Sequence, residues 1–152
     1  RELNGNLMLF FTGFSRYASD IEISRKKAMK DKTKELKEML ALVDDAQNVL
    51  VSKGSLNEFG RMLDHTWKLK RGITNKISND SIDAVYKRAV EAGALGGKLL
   101  GAGGGGFMLF YVEKDKQDNV RKELEDLLYV PFEFENGGTR FMYYNAEEYD
   151  IL

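Results

Sequence analysis

The sequence predicts an α+β domain: an antiparallel or mixed sheet with helices on one face, closest to the ferredoxin-like, split βαβ arrangement. Three observations predict it. Apolar runs of strand length ("LMLFF", "GGKLLG" and "FMLFYV") stand apart along the chain. A long stretch with apolar residues at spacings of three and four separates the first run from the second. The second and third are joined only by one alanine and four glycines. With 152 residues, 43% hydrophobic and 31% charged, the chain is sized for one domain over residues 1–152.

Leu3 to Gly13 is predicted as the first strand. The unbroken run Leu7-Met8-Leu9-Phe10-Phe11 suits a strand covered on both faces. From about Ser19 good helix formers dominate. Leu36, Leu40, Val43, Ala46 and Leu50 form a stripe expected to face the core, with Lys26 to Lys37 as a solvated face. Gly54 is expected to end that helix. Ser55 to Glu58 reads as a capping box opening a second helix, with Phe59, Met62, Leu63, Trp67 and Leu69 on its apolar side. A third helix runs from Asn79 or Ser81 to Ala92, with Ile82, Val85, Ala89 and Val90 inward and Gly93 as its stop. The strands "GGKLLG" and "FMLFYV" follow, then a fourth helix over about Asp115 to Leu128, ended by Pro131. "PFEFEN" and "TRFMYYN" around "NGG" read as a closing hairpin.

Composition excludes several function classes. A net charge of −1, from 23 basic and 24 acidic residues, gives no electrostatic basis for binding nucleic acid or a membrane surface. The chain has no cysteine and one histidine, which excludes thiolate and histidine-rich metal sites, and no metal ligand is assigned. No apolar run approaches the ~18 residues of a membrane span. Cysteine's absence suits a reducing compartment, so a cytoplasmic location is expected. The chain opens at Arg1 and enters an apolar run almost at once; it is expected to be a piece of a longer protein.

The segment Gly101-Ala102-Gly103-Gly104-Gly105-Gly106 is the strongest candidate for function. Glycines permit positive φ and leave their N–H groups unobstructed, and successive inward N–H groups form a nest for an anion. The segment is not a Walker loop, because Phe107 and Met108 stand where Lys-Ser/Thr is needed. Nor is it a dinucleotide-binding turn, because an apolar strand follows rather than a helix. A second candidate is the cluster Thr12, Gly13, Ser15 and Arg16, whose guanidinium could hold a phosphate bidentately. Lys68, Lys70 and Arg71 read as a cationic helix end favoured by the dipole. His65 shows no carboxylate partner and receives no role. Asp44-Asp45 and Glu147-Glu148 are rejected as acid pairs, since adjacent helical residues point apart.

"KLLGAGGGG" resembles the third motif of the GHMP small-molecule kinases: a lysine, two residues, Gly-Ala-Gly, one residue, Gly-Gly. Lys98, Gly101, Ala102, Gly103, Gly105 and Gly106 fill it; Leu100 stands where a hydroxyl residue is common. "FFTGFSRYAS", "HTWKLKRGIT" and "AGALGGKLLGAGGGGFMLFY" resemble the sugar-kinase branch. The resemblance implies the C-terminal domain of an ATP- and Mg2+-dependent kinase. The implied transfer is from ATP to the anomeric hydroxyl of a heptose phosphate, such as D-glycero-D-manno-heptose 7-phosphate, in lipopolysaccharide biosynthesis. It implies that the catalytic carboxylate and the ATP-binding glycine-serine loop lie in an N-terminal domain that is not part of this chain. That domain would be its partner, and the chain alone would be inactive. Gly101 to Gly106 become the phosphate or substrate loop, and Thr12, Gly13, Arg16 and Lys98 candidate substrate-binding residues. The rival is a non-catalytic α+β module whose glycine turn binds a protein or small ligand. The opening strand and glycine loop are expected to leave apolar surface uncovered, with a homodimer as one outcome. Gly103→Val or Gly104→Val is expected to cut turnover with little loss of folding.

Overall fold

The computed structural model describes residues 2–13, 23–24, 26, 28–52, 54–101 and 103–140. One helical turn, α1 (Glu2–Gly5), leads into β1 (Leu7–Phe11). Three helices follow: α2 (Thr33–Val51), α3 (Asn57–Arg71) and α4 (Asp80–Glu91). The antiparallel pair β2 (Gly96–Leu99) and β3 (Phe107–Tyr111) comes next, then α5 (Gln117–Glu123) and the short β4 (Leu128–Tyr129).

The sheet has four strands in the order β2-β3-β1-β4, all neighbours antiparallel. This is the order of a split βαβ fold, as the sequence predicts. β1 is flanked on both sides, from Leu7 opposite Tyr111 to Phe11 opposite Phe107, and by Tyr129 opposite Phe10. Side chains alternate across a strand. Met8 and Phe10 therefore share one face with Met108, Phe110 and Leu99, and all five are fully buried. Ile82 and Ala89 of α4, Trp67 of α3, and Val120 and Leu124 complete that core. Full burial of one such side chain contributes roughly 1.5–3 kcal/mol. The other face carries Leu9, Phe11, Leu109 and Phe107. Phe11 and Phe107 rest on each other with ring centroids 5.1 Å apart, and Phe107 is 40% exposed.

α3 lies against β2 at a close approach. A Cβ on Gly96 would overlap the Gly60 carbonyl, and one on Gly60 would lie 2.8 Å from the Tyr111 ring. The Tyr111 hydroxyl accepts from Asn6 Nδ2 (2.9 Å) and donates to Asn57 Oδ1 (3.3 Å), and Asn57 Nδ2 donates to Glu113 (2.7 Å). This chain of polar groups ties α3 to the sheet, and burial raises the Tyr111 phenol above its ordinary range.

Several expectations need correction. The first strand begins at Leu7, not Leu3. Residues Glu2 to Gly5 coil instead, and Asn6 N donates to the carbonyls of Glu2 and Leu3. The α2 stripe meets the core only at its start: Leu36 packs against it, but Leu40 is 69% and Val43 59% exposed, Leu50 is exposed too, and no α2 residue is fully buried. The capping box is not made. The Ser55 hydroxyl accepts from Asn57 N, while Glu58 is drawn to Arg61, so α3 starts without a side-chain cap. Val90 is exposed although α4 otherwise buries the predicted side. The fourth helix stops at Glu123, and the chain turns to place Leu128, largely exposed, beside Phe11 in β4. Residues 131–140 contain no strand; Phe134 N donates instead to Asn4 Oδ1 (3.0 Å). The rest of "TRFMYYN" lies outside the described residues, as does Glu147-Glu148.

Candidate functional site

The glycine segment is the turn between β2 and β3, closed at its base by Leu100 N donating to Phe107 O (2.8 Å). Gly101, Gly103, Gly104 and Gly106 all have positive φ, between 75° and 119°. Three separate parts of the chain grip the loop. From the end of β1, Thr12 donates both its N–H (2.8 Å) and its hydroxyl (2.9 Å) to the Gly106 carbonyl. From the end of α3, Lys70 Nζ donates to the Gly101 carbonyl (2.8 Å). From the α3–α4 connection, the Ile77 carbonyl accepts from Gly104 N (2.9 Å).

The two sides of the loop differ. A Cβ on Gly103 would lie 2.9 Å from both Cα and O of Ile77, whereas at Gly101 and Gly106 nothing lies within 4 Å of that position. Gly103 to Gly104 is therefore the seat of the loop, and Gly101 and Gly106 are its open flank. Among the described residues, the amides of Gly103, Gly105 and Gly106 have no backbone partner. The expectation that Gly103→Val would spare folding fails on this geometry. A side chain there meets main chain, and φ of +119° disfavours any L-residue.

Beside Ile77, the α3–α4 connection encloses a polar pocket of about 380 Å3 lined by Arg71, Thr74, Asn75, Ser78, Asn79 and Asp80 with Asp83. Its walls are internally paired. Asp83 accepts from Arg71 (2.7 Å) and Ser78 (2.6 Å), and Asn79 Oδ1 caps α4 by accepting from Ile82 N (3.0 Å). The basic end of α3 divides into three tasks. Lys68 pairs with Asp64 (2.6 Å), Arg71 holds Asp83 and sits 5.9 Å over the Trp67 ring, and Lys70 holds the loop. Behind them the Tyr86 hydroxyl donates to Asp64 (2.7 Å); burial first, then that carboxylate, push its phenol far above the ordinary range.

Thr12 thus meets the loop at Gly106, and Gly13 follows it in the chain with open space where a Cβ would stand. Arg16 and Ala102 lie outside the described residues. Lys98 sits on β2, and its side chain lines a groove between α2 and α3 with Met39, Leu63 and Thr66. His65 does have a carboxylate partner, Glu38 on α2 at 2.6 Å, on the surface. Sequence reasoning missed Lys70 and Ile77 as supports of the loop. Their contacts span long separations that no local pattern encodes; only the quoted "LKRGIT" stretch marked the region.

Comparison with known proteins bears on this arrangement. Residues 43–130, more than half of the chain, match the family described as GHMP kinases C terminal. The chain belongs to that family. It is 36% identical over 125 residues to D-glycero-alpha-D-manno-heptose 7-phosphate kinase of Campylobacter jejuni, covering 81% of this chain and 37% of that protein. It is 34% identical over 118 residues to the L-fucokinase/L-fucose-1-P guanylyltransferase of Bacteroides fragilis, covering 75% of this chain and 12% of that one. The chain therefore spans well under half the length of these relatives. Among solved structures, a D-glycero-D-manno-heptose 1-phosphate kinase from Bacteroides thetaiotaomicron superposes with a TM-score of 0.55 at 25% identity, over 88% of this chain and 34% of that one. The mevalonate kinase of Methanococcus jannaschii superposes with a TM-score of 0.71 at 22% identity, over 85% and 40%, and shows the shared fold. No described helix is long and apolar enough to cross a membrane.

Proposed function

We propose that this chain is the C-terminal domain of an ATP-dependent sugar kinase that phosphorylates a heptose phosphate at its anomeric hydroxyl. One observation carries the reading. The Gly101–Gly106 turn is fixed by Thr12, Lys70 and Ile77, yet presents an open flank and amides without backbone partners among the described residues. Held amides at positive-φ glycines fit an anion, and no acidic side chain lies in the turn to repel one. The likeness to the heptose 7-phosphate kinase of C. jejuni supports the substrate class.

Phosphoryl transfer depends chiefly on positioning and charge stabilisation. In this reading the amides of Gly103, Gly105 and Gly106 face phosphate oxygens of nucleotide or sugar. Thr12 and Lys70 act on the loop rather than on substrate, since both spend donors on its carbonyls. Gly13 remains the substrate-facing candidate at that edge, and Arg16 is a candidate by sequence alone. Lys98 serves the α2–α3 groove instead. Among the described residues no three His, Cys, Asp or Glu side chains converge. By the family resemblance, magnesium and the catalytic carboxylate belong to an N-terminal half, which would complete the cleft against the loop. The setting would be cytoplasmic synthesis of nucleotide-activated heptose for surface polysaccharide.

The test is a turnover assay of the longer protein with Mg-ATP across a panel of sugar phosphates. The reading expects the highest kcat/KM for a heptose 7-phosphate and a product phosphorylated at the anomeric carbon. A protein that binds ATP but transfers phosphate to no sugar or sugar phosphate would leave only the binding-module reading.

A further inference from the structure

α2 raises a question that the glycine loop does not answer. It has nineteen residues and buries none of them. Its outward side carries Leu40, Val43, Gln47 and Leu50, at successive spacings of three, four and three, while Leu36, one step earlier, packs against the core. That is the seam of a coiled coil, distinct from the usual stripe of a helix resting on a core. Leu40, Val43 and Leu50 are exposed, as is Val51 at 76%. Beside the seam runs an apolar groove of about 510 Å3, whose far wall is Phe59 and Leu63 of α3.

The charges flanking the seam identify the occupant. Lys37 and Asp44 are seven residues apart and so lie on the same flank, the one away from α3. Both are exposed, and neither has an ion pair or side-chain hydrogen bond among the described residues. We propose that the α2 seam pairs with the same seam of a second copy of this chain, antiparallel about a two-fold axis.

The register follows from the spacing. With Leu40 opposite Val43 of the second copy, the two-fold repeats the contact as Val43 opposite Leu40. Lys37 of each copy then flanks Asp44 of the other. A self-complementary patch of this kind is what an isologous interface requires. A parallel pairing would instead turn the flank of Lys37 and Asp44 toward the opposite flank of the second copy, where Met39 and Ala46 offer no charge partner. Gln47 is the one polar seam residue, a type of position that fixes register at a cost in affinity. The helix is about 28 Å long. With the α3 wall, the face amounts to on the order of 500 Å2 per copy, below the ~800 Å2 of a standard interface, so the dimer is expected to be weak. The pairing is independent of the kinase reading: it uses no residue of the glycine loop.

Sedimentation equilibrium of the 152-residue chain, from about 5 to 500 μM, tests it; a dissociation constant in the ten-to-hundred micromolar range corresponds to an interface of this size. The expected result is a mass rising from 17.3 kDa toward twice that value. Lys37→Asp and Asp44→Lys alone should each weaken association by about tenfold, a change that repulsion counted twice across the axis readily supplies. The double exchange, with both charges reversed, should return it close to the starting value. Leu40→Glu should give a monomer. Far-UV circular dichroism should be unchanged in all four, since each position is exposed. A chain monomeric throughout the range overturns the proposal. So does a dimer indifferent to the single exchanges, or a double exchange as weak as either single.

Discussion

α2 and α4 are both amphipathic helices of the same chain, yet they end in opposite surroundings. α4 has twelve residues and buries Ile82, Val85, Tyr86 and Ala89 against the sheet and α3. α2 has nineteen and buries none. The same periodicity marks both, so periodicity reports only that a helix has an apolar side. What covers that side depends on where the chain has been carried by then. α4 starts at a real cap, Asn79, and ends directly before β2, which leaves it no place but the sheet. α2 lies along α3, rests only Leu36 and Met39 partly on the core, and keeps a second apolar stripe turned away.

The largest expected effect sharpens that contrast. Ile82→Ala should lower unfolding free energy by about 3–4 kcal/mol, since it empties a fully enclosed site, while Leu40→Ala should cost under about 0.5 kcal/mol. Urea denaturation of both variants measures it; equal losses would erase the distinction. Next comes the loop. Gly103→Ala should cost about 3 kcal/mol, combining left-handed strain with overlap on the Ile77 main chain, while Gly106→Ala should cost about 1–2 kcal/mol from strain alone. Gly106→Ala is thus the variant that can report on turnover in a folded enzyme. Smaller again, Asn79→Ala should cost about 1 kcal/mol by removing the one side-chain cap found on the long helices.

The smallest effect is one of pH. An unfolded tyrosine ionises near 10.0, while folding holds the Tyr86 phenol protonated well beyond that. The folded state then keeps a proton that the unfolded state releases. The contribution is fully present below pH 10 and is lost as pH rises through the folded value. Tyr86→Phe should lower stability by about 1 kcal/mol below pH 10, where the bond to Asp64 is lost, and flatten the decline above it; an unaltered slope would show that Tyr86 ionises as freely in the fold as out of it.

These differences also mark what could be read from the sequence. β1, β2, β3 and α4 were legible because local rules decide them: an unbroken apolar run, a glycine turn, an asparagine cap. The glycine loop was legible as a place where side chains are excluded. What excludes them was not, because Thr12 reaches Gly106 across 94 residues and Lys70 reaches Gly101 across 31. The exposed face of α2 was misread for the same reason. The seam spacing of four and three is present in the sequence, but only the position of α3 shows which of its two apolar stripes remains open. The false capping box had a local rival, Arg61, that drew Glu58 away.

The most direct test of the loop's role is amide hydrogen exchange over residues 100–106 in the complete kinase, with and without a heptose phosphate and a non-hydrolysable ATP analogue. The amides of Gly103, Gly105 and Gly106, which have no backbone partner among the described residues, should become strongly protected when both ligands bind, while Gly104, already bonded to Ile77, should change little. Unchanged exchange at those three amides in a ligand-saturated, active enzyme would contradict the assignment of this turn to phosphate.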